Sequence, residues 1–318
     1  DISILYNHFN SDYSFISNYN TYKNSIMSYF FVLFDIFEFN FKDITIFISI
    51  LFSLIAMIAI YIFGFYFKKM NPVNLCQFIC MLYFLEKLRL INSGFNYPIN
   101  IIIPGYNTGG SIGFLFSILT IIIFISKPNV GLIFVPLNLF IHPTLGLLTL
   151  SYIVLLNFLE KNFKNMIFLI LICMIFLIFN YESGFTSDTN LIQFIHMNDF
   201  HRMPLRLQHF ECLILPLFLS LIHNKKKELL GEWIFILICI FISFIYYNLE
   251  YDFLELPFLS LMPNRGVNIG IAIIFIKSCA DLIINAKINK LVCLIFFALA
   301  YNQLFYSSMQ LTSIFIGC

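Results

Sequence analysis

Residues 44–67 read ITIFISILFSLIAMIAIYIFGFYF, an almost unbroken apolar run without a charged side chain. A hydrocarbon core about 30 Å thick is crossed by roughly 20 apolar residues in helical conformation, so this run is long enough to span it. Lipid offers the backbone no hydrogen-bond partners, which leaves only helices and closed barrels as spanning structures. The run lacks the apolar/polar alternation of a barrel strand, and residues 291–300, LVCLIFFALA, repeat the same uninterrupted character. The sequence therefore predicts an all-α, polytopic transmembrane bundle.

Composition agrees. Of 318 residues, 60% are hydrophobic and 11% charged, against about a quarter charged in an ordinary soluble domain. A water-soluble fold is excluded, and a net charge of +1 leaves no electrostatic footprint for nucleic acid. Of the eight cysteines, seven (Cys76, Cys80, Cys173, Cys212, Cys239, Cys279 and Cys293) lie in or beside apolar segments and Cys318 is terminal. Only Cys76 and Cys80 are close in sequence, and no second pair completes a metal site, so they read as small packing residues.

Working outward, about ten membrane segments follow: 44–67, 73–90, 111–126, 130–141, 144–159, 166–179, 207–222, 233–247, 267–286 and 291–306. Residues 26–37 are apolar but short and carry Asp35, as in an interfacial helix. This divides the chain into an extracytoplasmic segment, 1–43, and a transmembrane domain, 44–318. The chain opens at Asp1 without a signal-peptide pattern and reads as part of a longer protein lacking a first helix. Segment 130–141 is short for a crossing. With 144–159 it forms either two crossings or a re-entrant hairpin, and both return the chain to the same side.

Cytoplasmic loops retain Lys and Arg. Placing Lys68 and Lys69 in the cytoplasm and alternating spans puts Lys127, Lys161, Lys164, Lys225 to Lys227, Lys287 and Lys290 on that side. Lys23, Lys42 and Lys87 are exceptions. The protein is thus expected to be integral to a membrane, in type a bacterial inner (plasma) membrane, with its lysine-rich loops cytoplasmic. No internal repeat is visible, which disfavours a transporter built from repeated halves.

The two basic residue types divide. All four arginines, Arg89, Arg202, Arg206 and Arg265, fall on the opposite face, while the cytoplasmic connectors use lysine alone. A guanidinium is a planar fork suited to phosphate or carboxylate, whereas an ammonium is a point charge. Four arginines on the face that topology depletes of cations point to an anionic ligand. The plainer reading, pairing with outer carboxylates or lipid headgroups, stands beside it for each one taken singly.

Arg202 and Arg206 lie within Asp199-Phe200-His201-Arg202-Met203-Pro204-Leu205-Arg206-Leu207-Gln208-His209. There a helix beginning near Pro204 would turn some of Arg202, Arg206 and His209 toward one cavity. His142, in Ile141-His142-Pro143-Thr144-Leu145-Gly146, is an imidazole at or below headgroup level and is costly there without a partner. Turn histidine and functional histidine are equally good readings of it. Asp1, Asp12, Asp35, Glu182, Asp188, Asp199, Glu250, Asp252 and Glu255 supply outer-face carboxylates, and spacing does not select among them. The Gly/Pro/Asn-rich stretches 92–98 and 104–110 read as turns. Lys277 and Asp281, four apart on one helix, suggest an intramembrane pair or a snorkelling lysine.

Many spans, the His142-Pro143-Thr144-Leu145-Gly146 element, the His201-Arg202-Met203-Pro204 cluster and Pro263-Asn264-Arg265 opening a late helix together resemble bacterial membrane proteins related to GT-C glycosyltransferases. That resemblance implies transfer of a sugar from a polyprenyl-phosphate carrier on the outer face. It also implies a carboxylate of the first outer loop, here Asp1 or Asp12, as base or metal ligand. The paired-acid motif of that family is not recognisable. The implied partners are membrane lipids and a lipid-phosphate-linked sugar, with Arg89, Arg202, Arg206 and Arg265 on the phosphate and His142 or His201 positioning the donor. No cofactor is legible; a divalent metal fits the resemblance, but no residue pattern indicates one. Two alternatives stay open: a transporter or flippase of an anionic lipid-linked glycan, and an enzyme resembling O-antigen polymerases.

Overall fold

The computed structural model describes residues 36–37, 41–87, 109–180, 210, 212–248, 263–285 and 295. Among these, every regular element is a helix. α1 spans Phe41–Tyr61 and runs on into a π-helical turn, Ile62–Phe67. Then come α2 Pro72–Lys87, α3 Gly109–Ser126, α4 Pro128–Ile141, α5 Pro143–Leu159, α6 Phe163–Asn180 and α7 Ile214–Ile222. A 3₁₀ turn, Lys226–Leu229, leads into α8 Leu230–Asn248, and α9 is Asn264–Ile284. Among the described residues three helical stretches are long and apolar enough to cross a membrane: Ile46–Phe67, Lys227–Ile245 and Asn264–Ile284.

Local chemistry sets the helix starts. Pro72, Pro128 and Pro143 each open a helix, where a missing N–H costs nothing and φ is already helical. Asn71 Oδ1 accepts the backbone N–H of Asn74 at 2.8 Å, capping α2. His142 ends α4 by donating its backbone N–H to Asn138 O at 3.0 Å. It then starts α5 by accepting the Leu145 N–H on Nδ1 at 3.4 Å. One residue thereby makes the whole α4–α5 turn. Gly146 lets the two helices close on each other: a Cβ there would lie 2.6 Å from Leu139 Cα.

Hydroxyl and amide side chains inside the helices are hidden by bonding back one turn. Ser53, Ser117, Thr120, Thr149, Ser151, Ser220 and Ser243, with Asn157, each donate to the carbonyl four residues earlier. This removes donors that lipid cannot satisfy. Large apolar side chains point outward instead, including Phe168, Leu171 and Met174 on α6 and Leu237, Phe241 and Phe244 on α8. In water such a surface would be an aggregation liability; in a bilayer it is the solvated face.

α9 is the axis of the bundle. It packs against α2, α3, α5, α7 and α8, and of its residues from Asn264 to Leu282 all but Arg265 are buried. Its contact with α8 is antiparallel, with Gly266 against Cys239 and Gly270 against Ile236. A Cβ on either glycine would lie 2.5 Å from its neighbour, so this small-xxx-small pair permits the close approach on which membrane helix packing depends.

Several expected boundaries shift. Where a helix is expected over 207–222 the α-helix spans Ile214–Ile222, with 207–209 and 211 outside the described residues, and Cys76 and Cys80 face outward on α2 where packing residues were expected, whereas Cys212, Cys239 and Cys279 are buried. The predicted interfacial helix lies outside the described residues except for Ile36 and Phe37, and the predicted last span except for Ile295.

Candidate functional site

The lysine connectors do gather at one end of the bundle. Lys127 Nζ lies 5.7 Å from the Tyr66 ring centroid, joining the α3–α4 turn to the end of the π segment. Lys68 sits over the rings of Phe63 and Phe67 and reaches Glu228 at 3.4 Å. Gly231 at the start of α8 packs on Leu156 near the end of α5. The alternation of spans inferred from lysines is consistent with this clustering for the connectors after α1, α3, α5 and α7.

The far end holds two of the sequence-selected residues. Arg265 stands in the first turn of α9, half-buried, and His142 at the α4–α5 turn is buried within its electrostatic reach. His142 lies over α3, where Gly113 makes room: a Cβ there would lie 2.5 Å from His142 Cβ. Because Nδ1 accepts a hydrogen bond, this nitrogen carries no proton, and the ring is the neutral Nε2–H tautomer. Buried Asn138 donates to Ser117 Oγ at 3.1 Å one turn away. Asp1, Asp12, Arg89, His201, Arg202 and Arg206 lie outside the described residues, as do Glu250 and Asp252.

A second cluster, largely unread in the sequence, lies near the lysine end. Glu232 on α8 is fully buried. Its Oε1 accepts from Tyr152 OH on α5 at 2.6 Å and from Lys277 Nζ on α9 at 2.5 Å. Lys277 also donates to the Glu228 carbonyl at 3.1 Å. The i,i+4 pair of Lys277 with Asp281 is therefore not how these residues are used. Asp281 instead accepts from Asn224 N and Nδ2 at 3.0 and 2.9 Å and from Asn285 Nδ2 at 2.6 Å. Lys277 sits seven residues before the end of α9, about 10 Å along the axis, so it reaches its partner sideways within the bundle and has no need to snorkel.

Beside this cluster His223 ends α7 with its side chain wholly buried. Its Nδ1 lies 3.6 Å from Asp281 Oδ2 and its Nε2 4.0 Å from Glu228 Oε2. Among the described residues neither ring nitrogen has a hydrogen-bond partner. Burial holds its pKa below the ordinary imidazole value, overriding the pull of the two carboxylates.

Glu228, Glu232 and His223 are hard to read from sequence because residues 223–232 look like an ordinary basic connector, and Tyr152 because it is one aromatic in an apolar helix. The legible signal was Glu232 itself, an acid at the start of an otherwise apolar helix. Among the described residues no group of three or more His, Cys, Asp or Glu side chains is arranged to hold a metal ion. Comparison with protein-family models, with curated proteins and with solved structures finds no match.

Proposed function

We propose that this chain is an integral membrane protein, of about ten segments in a GT-C-like bundle, that transfers a sugar from a lipid phosphate at its arginine-bearing face. In this reading that face is the extracytoplasmic side of a bacterial inner membrane. The observation that supports it is the convergence of Arg265 with His142, residues far apart in sequence, at the end of the bundle away from the lysine connectors. A cationic fork at the head of a buried helix suits a phosphate, since the helix N-terminus adds its own partial positive charge.

The acceptor hydroxyl oxygen bonds to the anomeric carbon as that carbon's bond to the phosphate oxygen breaks. The hydroxyl proton passes to a carboxylate, Asp1 or Asp12, and the departing lipid phosphate keeps the bonding pair and is held by Arg265 with Arg89, Arg202 and Arg206. Neutral His142 or His201 orients the donor. In proteoliposomes carrying a polyprenyl-phosphate-linked sugar, Arg265→Lys and the double change Arg202→Lys/Arg206→Lys are expected to abolish product. Full activity in the double variant sinks this reading.

A second reading, transport of an anionic lipid-linked glycan, is favoured by the buried Tyr152, Glu232 and Lys277 cluster, because ionisable groups at membrane depth commonly mark ion and proton paths. Translocation of the labelled glycan without product would select it.

A further inference from the structure

His223 is held in an unusual balance. Four charged groups face it: Asp281 from α9, Glu228 from the 3₁₀ turn, Lys68 from the end of the π segment and Lys277 from α9. Two are negative and two positive, so their fields largely offset. Neither carboxylate is free to turn to the ring. Asp281 is held by Asn224 and Asn285, and Glu228 by Lys68 and Lys225 at 3.4 and 3.1 Å. The ring nitrogens are left 3.6 and 4.0 Å from the nearest carboxylate oxygens, beyond hydrogen-bonding distance, in a position without solvent contact.

A neutral imidazole suits this position better than an imidazolium, which has two N–H groups and a full charge to solvate. The segment that would have to move to hydrate it is small. It comprises residues 223–229, which join α7 to α8 and are fastened to the rest of the bundle by Asn224 on Asp281, Lys68 on Glu228 and Lys277 on the Glu228 carbonyl.

We propose that His223 is a proton-binding switch at the lysine end of the bundle: unprotonated, it keeps the α7–α8 junction closed over the end of α9, and protonated, it releases that junction. The ligand is the proton, which binds the open junction more tightly than the closed one and therefore shifts the population toward the open form. The sign follows from linkage. The depressed affinity of the closed form means that the junction's stability is fully present above the ordinary imidazole pKa of 6.5 and declines as pH falls below it.

The chain carries its own reporter. Trp233 is the single tryptophan, and its Nε1 donates to Ser220 Oγ at 2.9 Å, bridging α8 to α7 across this junction. In the full chain in detergent, Trp233 emission is expected to hold constant above pH 7 and to move to longer wavelength in one step with a midpoint below 6.5. His223→Gln, which remains neutral, is expected to remove the step.

Two further variants keep the test sharp if His223→Gln fails to fold. Asp281→Asn removes a neighbouring negative charge and should move the midpoint to lower pH, and Lys68→Met removes a positive one and should move it higher. A wild-type signal flat from pH 8 to pH 4, a step that survives His223→Gln, or a midpoint that stays put in both charge variants would each overturn the proposal. This switch is independent of sugar transfer: loss of the step with transfer intact fails the switch alone, and the reverse fails only the proposed reaction.

Discussion

The two ends of α9 carry their polar groups in different ways. Near the lysine end Lys277 meets Glu232 and Lys68 meets Glu228, while Asp281 is held by amides. At the other end Arg265, in the first turn of the helix, lies within electrostatic reach of the buried His142 imidazole, and Asn138 donates to Ser117 Oγ one turn from it. Compensated charge binds helices to one another and leaves little attraction for a ligand. The lysine end is thus an internal clasp, whereas in the proposed reaction the Arg265 end is the one that meets the ligand.

The largest effect belongs to the clasp. Glu232→Ala leaves Lys277 and Tyr152 without their shared acceptor, and stranding one member of a buried pair typically costs about 3–5 kcal/mol. Unfolding in detergent should register that loss. The double change Glu232→Leu/Lys277→Met should recover most of it, since apolar replacement of a whole buried pair is commonly neutral. No recovery would mean that the cluster does more than hold helices together.

Next comes the opposite end. Arg265→Ala should weaken binding of a polyprenyl phosphate by roughly 10–150-fold, the equivalent of a charge-assisted hydrogen bond worth about 1.5–3 kcal/mol. Equilibrium binding in nanodiscs measures this, and an equal loss from Lys277→Met would erase the distinction between the two ends. Gly270→Ala presses a methyl against Ile236 on α8 and should destabilise by about 1–3 kcal/mol, the usual cost of overpacking. Smallest is Ser220→Ala, which removes the acceptor of the Trp233 N–H and should cost about 0.5–1.5 kcal/mol with a change in tryptophan emission.

Helices and their order were legible because apolar runs bounded by lysines, prolines and polar turns leave few alternatives; Pro128, Pro143 and Lys127 mark their boundaries to within a few residues. The sequence also singled out His142 and Arg265, since a histidine before proline and an arginine at a helix start are unusual inside apolar text. It did not reveal that these two come together, because neither contact is local.

The Glu232 cluster was hidden for the same reason. Its members come from three helices, and each alone resembles a boundary residue. Lys277 and Asp281 illustrate the hazard: their i,i+4 spacing invites a local pair, yet each is taken up by a partner from another element. Spacing along a helix describes what can meet on one surface. It cannot describe a helix that is surrounded on every side.

That burial of α9 bears on how the protein is made. Its segment carries Asn264, Asn268, Lys277 and Asp281, and charged residues in an isolated helix oppose insertion, most at its centre and less toward its ends. α8, synthesised just before it, presents Glu232 to Lys277 and the surface that receives Gly266 and Gly270. Entering a bilayer together with α8 would therefore cost α9 less than entering alone, because Lys277 would arrive already paired.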